Sequence, residues 1–351
     1  MRIRKENNFI SMFDEKTGNY IRTGIIVDGK DTGKDPFMAS FPELLDVGIM
    51  GHCIHGKSGL CIKAGVECYQ DGLHSENSNM KLEDFKSLAK QCSGRTYQFA
   101  LGGCGDPDQH EQFEEILEIC QKYHIVPNFT TSGFGMTPKI AALCKKYCGA
   151  VAVSWYRSKY TTDAIRMLTD AGVKTNIHYV LSKHTITEAM DRLKNKGFPQ
   201  EINAVIFLLH KPVGLGTKKQ MIQLQHTEYN RFVKYIGTDS LHYKIGFDSC
   251  TIPALINNPG NINLDSLDTC EGARWSAYIT ADLKMLPCSF DNQEQRWAVD
   301  LRQHTIKEAW DSQTFEQFRN HFRKACPHCD KRKDCMGGCP IRPEIVLCKS
   351  K

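Results

Sequence analysis

From residue 44 to about residue 240, short apolar runs alternate with longer amphipathic ones. LLDVGIM (44–50), RTYQFALGG (95–103), VPNFTTSG (126–133), AVAVSWY (150–156), KTNIHYVLS (174–182) and INAVIFLLH (202–210) predict six strands. Between and after them, LEDFKSLAKQC (82–92), HEQFEEILEICQKYH (110–124), PKIAALCKKYC (138–148), TTDAIRMLTDAG (161–172), TITEAMDRLKNKG (185–197) and TEYNRFVKYIG (227–237) predict helices. Runs of this kind, alternating between strand and helix length, are the signature of parallel βα units. Pro138 suits the first turn of its helix, and Gly172 the end of the helix before it. Six units are fewer than a closed eight-fold barrel needs. The expectation is an α/β fold: a partial (β/α)6 TIM-like barrel over 44–245. The polar, turn-rich residues 1–43 form an N-terminal extension of short strands or loose chain. At about residue 246 the rhythm stops, and 246–351 reads as a second, cysteine-rich domain.

Parallel sheets gather chemistry at the C-terminal ends of their strands. Those ends carry GHC (51–53), GGCGDP (102–107), TTSG (130–133), SWYRS (154–158), VLSK (180–183) and HKPVGLG (210–216). A short seventh strand would end in GFDSC (246–250).

Composition narrows the chemistry. The 351 residues are 41% hydrophobic and 24% charged, an ordinary globular balance. No apolar run approaches the roughly 18 residues that span a bilayer. The N-terminus lacks the apolar stretch of a secretory signal, so the expected location is cytoplasmic, away from membranes. A net charge of +5 is mild and does not suggest a nucleic-acid partner. The outlying number is 16 cysteines. In a long chain with no export signal, they point to metal or redox chemistry rather than disulfides.

Two cysteine groups stand out. CPHCDKRKDCMGGC holds Cys326, Cys329, Cys335 and Cys339, separated by two, five and three residues. Alone, these four suit a structural zinc site. Cys270 and Cys288 upstream and Cys348 downstream make seven, awkward for one tetrahedral ion and suited to two cubane clusters. The second group is Cys53, Cys61 and Cys68, all in the loop after the first strand. Three thiolates on a [4Fe–4S] cluster leave one iron open to bind and activate a substrate. They could instead be three buried structural cysteines. Cys92, Cys120, Cys144 and Cys148 fall on predicted helices and read as core.

Together these residues resemble the radical S-adenosylmethionine (radical SAM) enzymes with a SPASM-type auxiliary-cluster domain. The resemblance runs over about 44–351 and rests most firmly on the tail spacing. There the family has Gly where Leu283 stands, in a turn before the second cysteine. The front motif departs further. The family separates its three cysteines by three and two residues, with an aromatic before the third. Here the gaps are seven and six, and Glu67 precedes Cys68. The flanks LLDVGIMGHC and CYQDG agree, so the loop is expected to be longer around the same cluster.

The resemblance implies that Cys53, Cys61 and Cys68 are the catalytic cluster ligands. It further implies S-adenosylmethionine contacts from Tyr69, from Gly102, Gly103 and Cys104 with Asp106 as the nearest acid, and from Ser154, Asn176, Leu209 and Val213. Cys104 could equally be a small apolar filler. Family ligand sharing would put Cys326, Cys329, Cys335 and Cys348 on a distal cluster, and Cys270, Cys288 and Cys339 on a nearer one. In some relatives a fourth cysteine follows where Ser276 stands here. Cys250 is the candidate replacement, the alternatives being an open iron or a place in the substrate cavity. That makes three [4Fe–4S] clusters and S-adenosylmethionine as cofactors.

The implied activity is reductive cleavage of S-adenosylmethionine to a 5′-deoxyadenosyl radical that abstracts hydrogen from a peptide or protein. Ribosomal peptide maturation by side-chain cross-linking is the leading subclass, and formylglycine-type sulfatase maturation or another oxidation of this type the alternative. A zinc-binding scaffold with a non-catalytic barrel is the alternative from a different class. The implied partners are a flavodoxin or ferredoxin electron donor and the peptide or protein substrate; since about 43 residues before the barrel are few for a recognition domain, the precursor is expected to be recognised either by a separate leader-peptide-binding protein or by the barrel and tail themselves. The basic run Arg319, Arg323, Lys324, Lys331, Arg332 and Lys333 could meet the acidic donor or be a solvated face.

Overall fold

The computed structural model describes all residues except 32–36, 239–240, 258–259, 323, 325, 334 and 349–351. Arg323 of the basic run therefore lies outside the described residues.

The N-terminal extension is a small antiparallel sheet of β1 (Arg2–Lys5), β2 (Phe9–Phe13) and β3 (Tyr20–Gly24), followed by a short pair, β4 (Ile26–Val27) and β5 (Lys30–Asp31). It is tied to the N-terminal ends of the main strands. Arg2 donates to the His124 carbonyl at 2.7 Å, and Arg4 to those of Arg95 (2.7 Å) and Phe41 (2.9 Å). Arg22 pairs with Glu43 (3.1 Å) and Asp268 (2.8 Å), its guanidinium held between the Tyr20 and Trp275 rings. The extension thus closes the bottom of the sheet and leaves the opposite, chemical end open.

The main sheet follows the predicted rhythm. Its strands are β6 (Leu44–Met50), β7 (Gln98–Gly103), β8 (Val126–Thr131), β9 (Ala150–Ser154), β10 (Thr175–Leu181), β11 (Ala204–Leu209) and β12 (Ile245–Phe247), each parallel to the one before. Between them run α1 (Ile54–Ser58), α2 (Leu60–Lys63), α3 (Leu82–Cys92), α4 (Phe113–Lys122), α5 (Pro138–Tyr147), α6 (Lys159–Asp170), α7 (Ile186–Lys194) and α8 (Thr227–Ile236). The long helices are amphipathic for a packing reason. On α3, Phe85, Leu88, Ala89 and Cys92 recur at helical spacing and are buried, each large apolar side chain contributing about 1.5–3 kcal/mol on leaving water. Cys92, Cys120 and Cys144 are fully buried in this layer and Cys148 packs against it, as expected of core cysteines.

One feature was not legible in the pattern. The cysteine-rich part does not stand apart from the sheet. After α9 (Ile252–Asn257), β13 (Ser276–Ile279) adds in parallel to the free side of β6, and β14 (Lys284–Leu286) and β15 (Val299–Asp300) continue antiparallel. The result is one ten-stranded sheet with β12 at one edge and β15 at the other. Helices α10 (Ile306–Trp310) and α11 (Gln313–Arg319) pack Trp310, Phe315 and Phe318 beneath it. In the turn between β13 and β14, Leu283 has φ +64°. The turn therefore keeps the left-handed residue that favours glycine, and a leucine bears its cost of about 1–2 kcal/mol.

Candidate cluster and substrate site

Cys53, Cys61 and Cys68 converge at the open end of β6. The extra residues between them are spent on two short helices, α1 and α2, joined by Gly59 in the left-handed region at φ +68°. Cys53 is the N-cap of α1, its sulfur accepting from the Gly56 amide at 3.3 Å. Cys61 lies in α2, close enough to the other two for their charges to act on it. Burial pushes the Cys53 thiol up, and Cys61 up to about 11. Gly72 lines the same spot: a Cβ there would stand 3.5 Å from the Cys68 sulfur and 3.6 Å from that of Cys53. This donor set of three soft thiols around a glycine-lined space fits a cluster with one iron left open.

Glu67, which stands where the resembling family has an aromatic, has a different task. It accepts from the Thr217 amide (2.5 Å) and hydroxyl (3.0 Å), clasping the loop after β11. The Leu215 amide completes the clasp by donating to the Cys68 carbonyl at 2.9 Å. Gly214, at φ +63°, passes so close that a Cβ would lie 2.5 Å from the carbonyl oxygens of Cys68 and Tyr69. Gly214→Val should therefore displace Cys68, cost about 2 kcal/mol or more, and lower both the thermal midpoint and the iron recovered on anaerobic reconstitution.

A second group of thiols lies in a cavity walled by residues of β6, β12 and β13. A cavity of about 730 Å³ there is lined by Cys250, Cys270, Cys288 and Cys339, with Asp46 and Ser276 also on its wall. Cys250 follows β12, Cys270 precedes β13 and Cys288 follows β14, so three sheet strands aim their thiols at one space. Cys250 shares a hydrogen bond with Cys339, and the Cys339 sulfur also accepts from the Arg342 amide at 3.3 Å. Burial raises Cys270 to about 12. Among the described residues, no three His, Cys, Asp or Glu side chains converge as tightly as a single metal ion requires. A cubane takes one thiolate per iron and spreads its ligands wider, and four thiols around a roomy cavity fit it.

The remaining tail cysteines form a third group. Cys335 is buried and feels the charges of Cys326 and Cys348. Its sulfur accepts from the Gly337 amide at 3.4 Å, and Cys348 accepts from the Asn257 side chain at 3.2 Å. The Cys329 sulfur lies 3.8 Å from the Asp330 carboxylate.

The expected S-adenosylmethionine contacts divide. Gly102, one residue before the end of β7, has open space where a Cβ would be, whereas Gly103, at φ +105°, leaves no room, its Cβ position being 2.3 Å from the Met50 carbonyl. Cys104 is buried and close enough to Cys53 and Cys68 for their charges to act on it. Asp106 accepts from the Ser132 amide (2.9 Å) and hydroxyl (2.5 Å), and His55 Nε2 lies 3.3 Å away without hydrogen-bond alignment. Ser154 ends β9, and Leu209 and Val213 are buried at and after the end of β11. Tyr69 is 41% exposed, and its ring meets Phe290 at 5.1 Å. Asn176 sits low in β10, bonded to Asn203 at 2.7 Å. His178, two residues on, stands in register with Ser154 and contacts Thr130 at 3.1 Å. Burial lowers its pKa to about 4, so it is a neutral imidazole.

Several site residues carried no sequence signal. Tyr156 hydrogen-bonds Cys61, Ser132 engages Asp106, and Lys211 pairs with Asp248 at 2.5 Å. They come from different strand ends and meet only in the fold.

Comparison with known proteins agrees with this arrangement. Residues 270–336 match the family model described as SPASM, an iron–sulfur cluster-binding domain. SuiB of Streptococcus suis bound to precursor peptide SuiA matches with a TM-score of 0.66 and 16% identity, over 89% of this chain and 76% of that one. SuiB bound to S-adenosylmethionine gives 0.65 and 17%, over 89% and 78%. anSMEcpe with bound AdoMet and the Cp18Cys peptide gives 0.61 and 16%, over 88% and 91%. No curated protein sequence matches the chain. The chain shares the fold of these proteins over most of its length, and its residues 270–336 match the SPASM iron–sulfur cluster-binding domain. Among the described residues, no helix is long and apolar enough to cross a membrane.

Proposed function

We propose that the chain is a radical SAM enzyme that oxidises a peptide or protein, with cross-linking of ribosomal-peptide side chains as the leading reaction. The observation that carries this reading is the gathering of thiols into two sets, each from residues distant in the chain or loop. Three thiols lie at the end of β6, and four line the cavity of about 730 Å³ walled by residues of β6, β12 and β13. The similarity to proteins seen with S-adenosylmethionine and with peptides supports the choice of cofactor and substrate.

On this reading Cys53, Cys61 and Cys68 hold one [4Fe–4S] cluster, and Cys250, Cys270, Cys288 and Cys339 a second. Cys326, Cys329, Cys335 and Cys348 hold a third. When bound, the first supplies an electron to S-adenosylmethionine, whose 5′-deoxyadenosyl radical takes hydrogen from an unactivated carbon. The chain's residues do the rest. Backbone amides of Gly56, Gly337 and Arg342 donate to ligand sulfurs and offset part of their negative charge. Gly102 leaves room near the end of β7, and Ser154, Leu209 and Val213 stand at the ends of β9 and β11 farther along the same sheet. The clasp of Glu67 on Thr217 holds the loop after β11 against the Cys68 segment. A flavodoxin or ferredoxin would deliver electrons, and a separate protein could present the leader peptide.

The test is anaerobic reconstitution with iron and sulfide, followed by S-adenosylmethionine and dithionite. The expected products are 5′-deoxyadenosine and, with a small peptide encoded beside the gene, a peptide lighter by two hydrogen atoms. A colourless protein that binds zinc and yields neither would overturn the reading. Cys250→Ala separates two roles within it. A labile or spectroscopically altered auxiliary cluster, with uncoupled cleavage of S-adenosylmethionine retained, is expected of a ligand. Unchanged clusters with lost peptide turnover would place Cys250 in the substrate pocket.

A further inference from the structure

Asp46 stands in the middle of β6, between Leu45 and Val47, which are fully buried in the core. Side chains alternate along a strand, so Asp46 points to the opposite face, and there it lies on the wall of the cavity of about 730 Å³. In register with it are Ala100 on β7 and Tyr278 on β13. The next position on its own face of β6 is Gly48, where a Cβ would stand 2.7 Å from the Tyr278 hydroxyl. Ala100 and Gly48 have no side chain long enough to reach the carboxylate. Among the described residues, no hydrogen bond or ion pair is made to it. Burial raises Asp46 to about 7 and the charge of Glu271 adds to the rise, with no donor or cation opposing it. Nothing in the fold offsets the cost of placing this group inside.

The rest of the wall sharpens the contrast. Among the described residues it carries four carboxylates, Asp46, Asp248, Asp268 and Glu271, and no lysine, arginine or histidine. Three of the four are compensated by residues outside the cavity. Asp248 pairs with Lys211 at 2.5 Å, and Asp268 with Arg22 at 2.8 Å. Glu271 accepts from the Trp275 side chain and also feels the Arg22 charge. The same wall includes Ile245, Phe247, Ile262 and Leu267. A bare carboxylate among apolar walls is costly to ionise alone. It is a strong partner for a cation that brings an apolar stem with it, and lysine and arginine side chains are of that kind. An acidic side chain would instead meet like charge from Asp46 and from a cluster on the four thiols.

We propose that Asp46 is the specificity-determining residue of this cavity, forming an ion pair with a lysine or arginine side chain of the peptide substrate. The inference rests on the function proposed above and deepens it by naming the kind of residue the cavity admits. The bound cation holds Asp46 ionised, and the pair forms away from bulk water, where it is worth more than at the surface. β6 leads directly into the Cys53 loop. A side chain anchored at Asp46 is therefore held by the strand that positions the first cluster's ligands.

The experiment measures dissociation constants on the anaerobically reconstituted holoenzyme with S-adenosylmethionine bound. The probes are the small peptide encoded beside the gene and versions of it in which each lysine and arginine is replaced, one at a time, by norleucine. Norleucine keeps an apolar stem and lacks the charge. At one position the replacement should weaken binding to the wild type about tenfold, the effect of an ion pair of about 1.4 kcal/mol. In Asp46→Asn and in Asp46→Ser the same replacement should change binding less than about twofold, and Asp46→Glu should restore most of the difference. Two neutral variants are made so that, if one fails to take up iron, the other decides. An equal loss in the wild type and in a neutral variant that takes up iron would overturn the proposal. So would a modified peptide with no lysine or arginine, or with none whose replacement weakens binding. A holoenzyme that forms no 5′-deoxyadenosine under dithionite would instead overturn the functional reading, and that shows before any peptide is varied.

Discussion

Replacing Cys53, Cys61 and Cys68 together by Ala is expected to remove about four of about twelve iron atoms per chain and to abolish cleavage of S-adenosylmethionine. The size of the effect follows from chemistry rather than packing. With no thiolates, the space beside Gly72 has nothing to hold iron, and on the proposed reading that is the iron to which S-adenosylmethionine binds. The three side chains are partly exposed, so the substitutions leave no large core cavity. The fold should survive, since the loop is still clasped by Glu67 on Thr217 and by Leu215 on the Cys68 carbonyl. Iron content, and 5′-deoxyadenosine under dithionite, check both halves. An unchanged iron count would sink the assignment of the long front loop.

The second large effect is expected from the tail. Replacing Cys326 and Cys329 by Ala should strip one pair of thiolates from the distal cluster, leaving Cys335 and Cys348. 5′-Deoxyadenosine should still form under a strong chemical reductant, while modified peptide falls to little or none. The front residues lie within 44–216, far along the chain from the lost ligands. Cluster binding also supplies folding energy, but the tail has support of its own. Trp310, Phe315 and Phe318 are buried, and the Trp310 indole donates to the Ala39 carbonyl at 2.8 Å. Product must be normalised to intact front cluster, because general misfolding would lower both readings. Full peptide modification by a soluble variant lacking that cluster would reduce the tail to a scaffold.

Much of this was legible in the chain because it depends on local pattern. The strand LLDVGIM and the helix LEDFKSLAKQC have in the structure the bounds that the sequence predicts, β6 at Leu44–Met50 and α3 at Leu82–Cys92. Hydrophobic period and helix ends are properties of neighbouring residues. The tail spacing was equally readable, since ligands two to five residues apart are brought together by short turns. The N-terminal sheet was readable only as polar and turn-rich. Its pairing depends on Arg2, Arg4 and Arg22 reaching carbonyls and carboxylates far along the chain.

By itself, then, the sequence determined the βα rhythm, the two cysteine groups and the kind of chemistry that sixteen cysteines in such a chain can support. Only the tertiary structure decided how the groups face one another. It made β13 a parallel neighbour of β6, so that Cys270 and Cys288 share a cavity with Cys250 and Cys339. It turned Glu67 from a cofactor-side position into a clasp, set Asn176 low in its strand, and paired Lys211 with Asp248. The physical reason is the range of the forces involved. Backbone propensity and hydrophobic period act over a few residues and are written along the chain. Cavities, ion pairs and shared ligand sets form between strands distant in sequence, and exist only once the sheet has assembled.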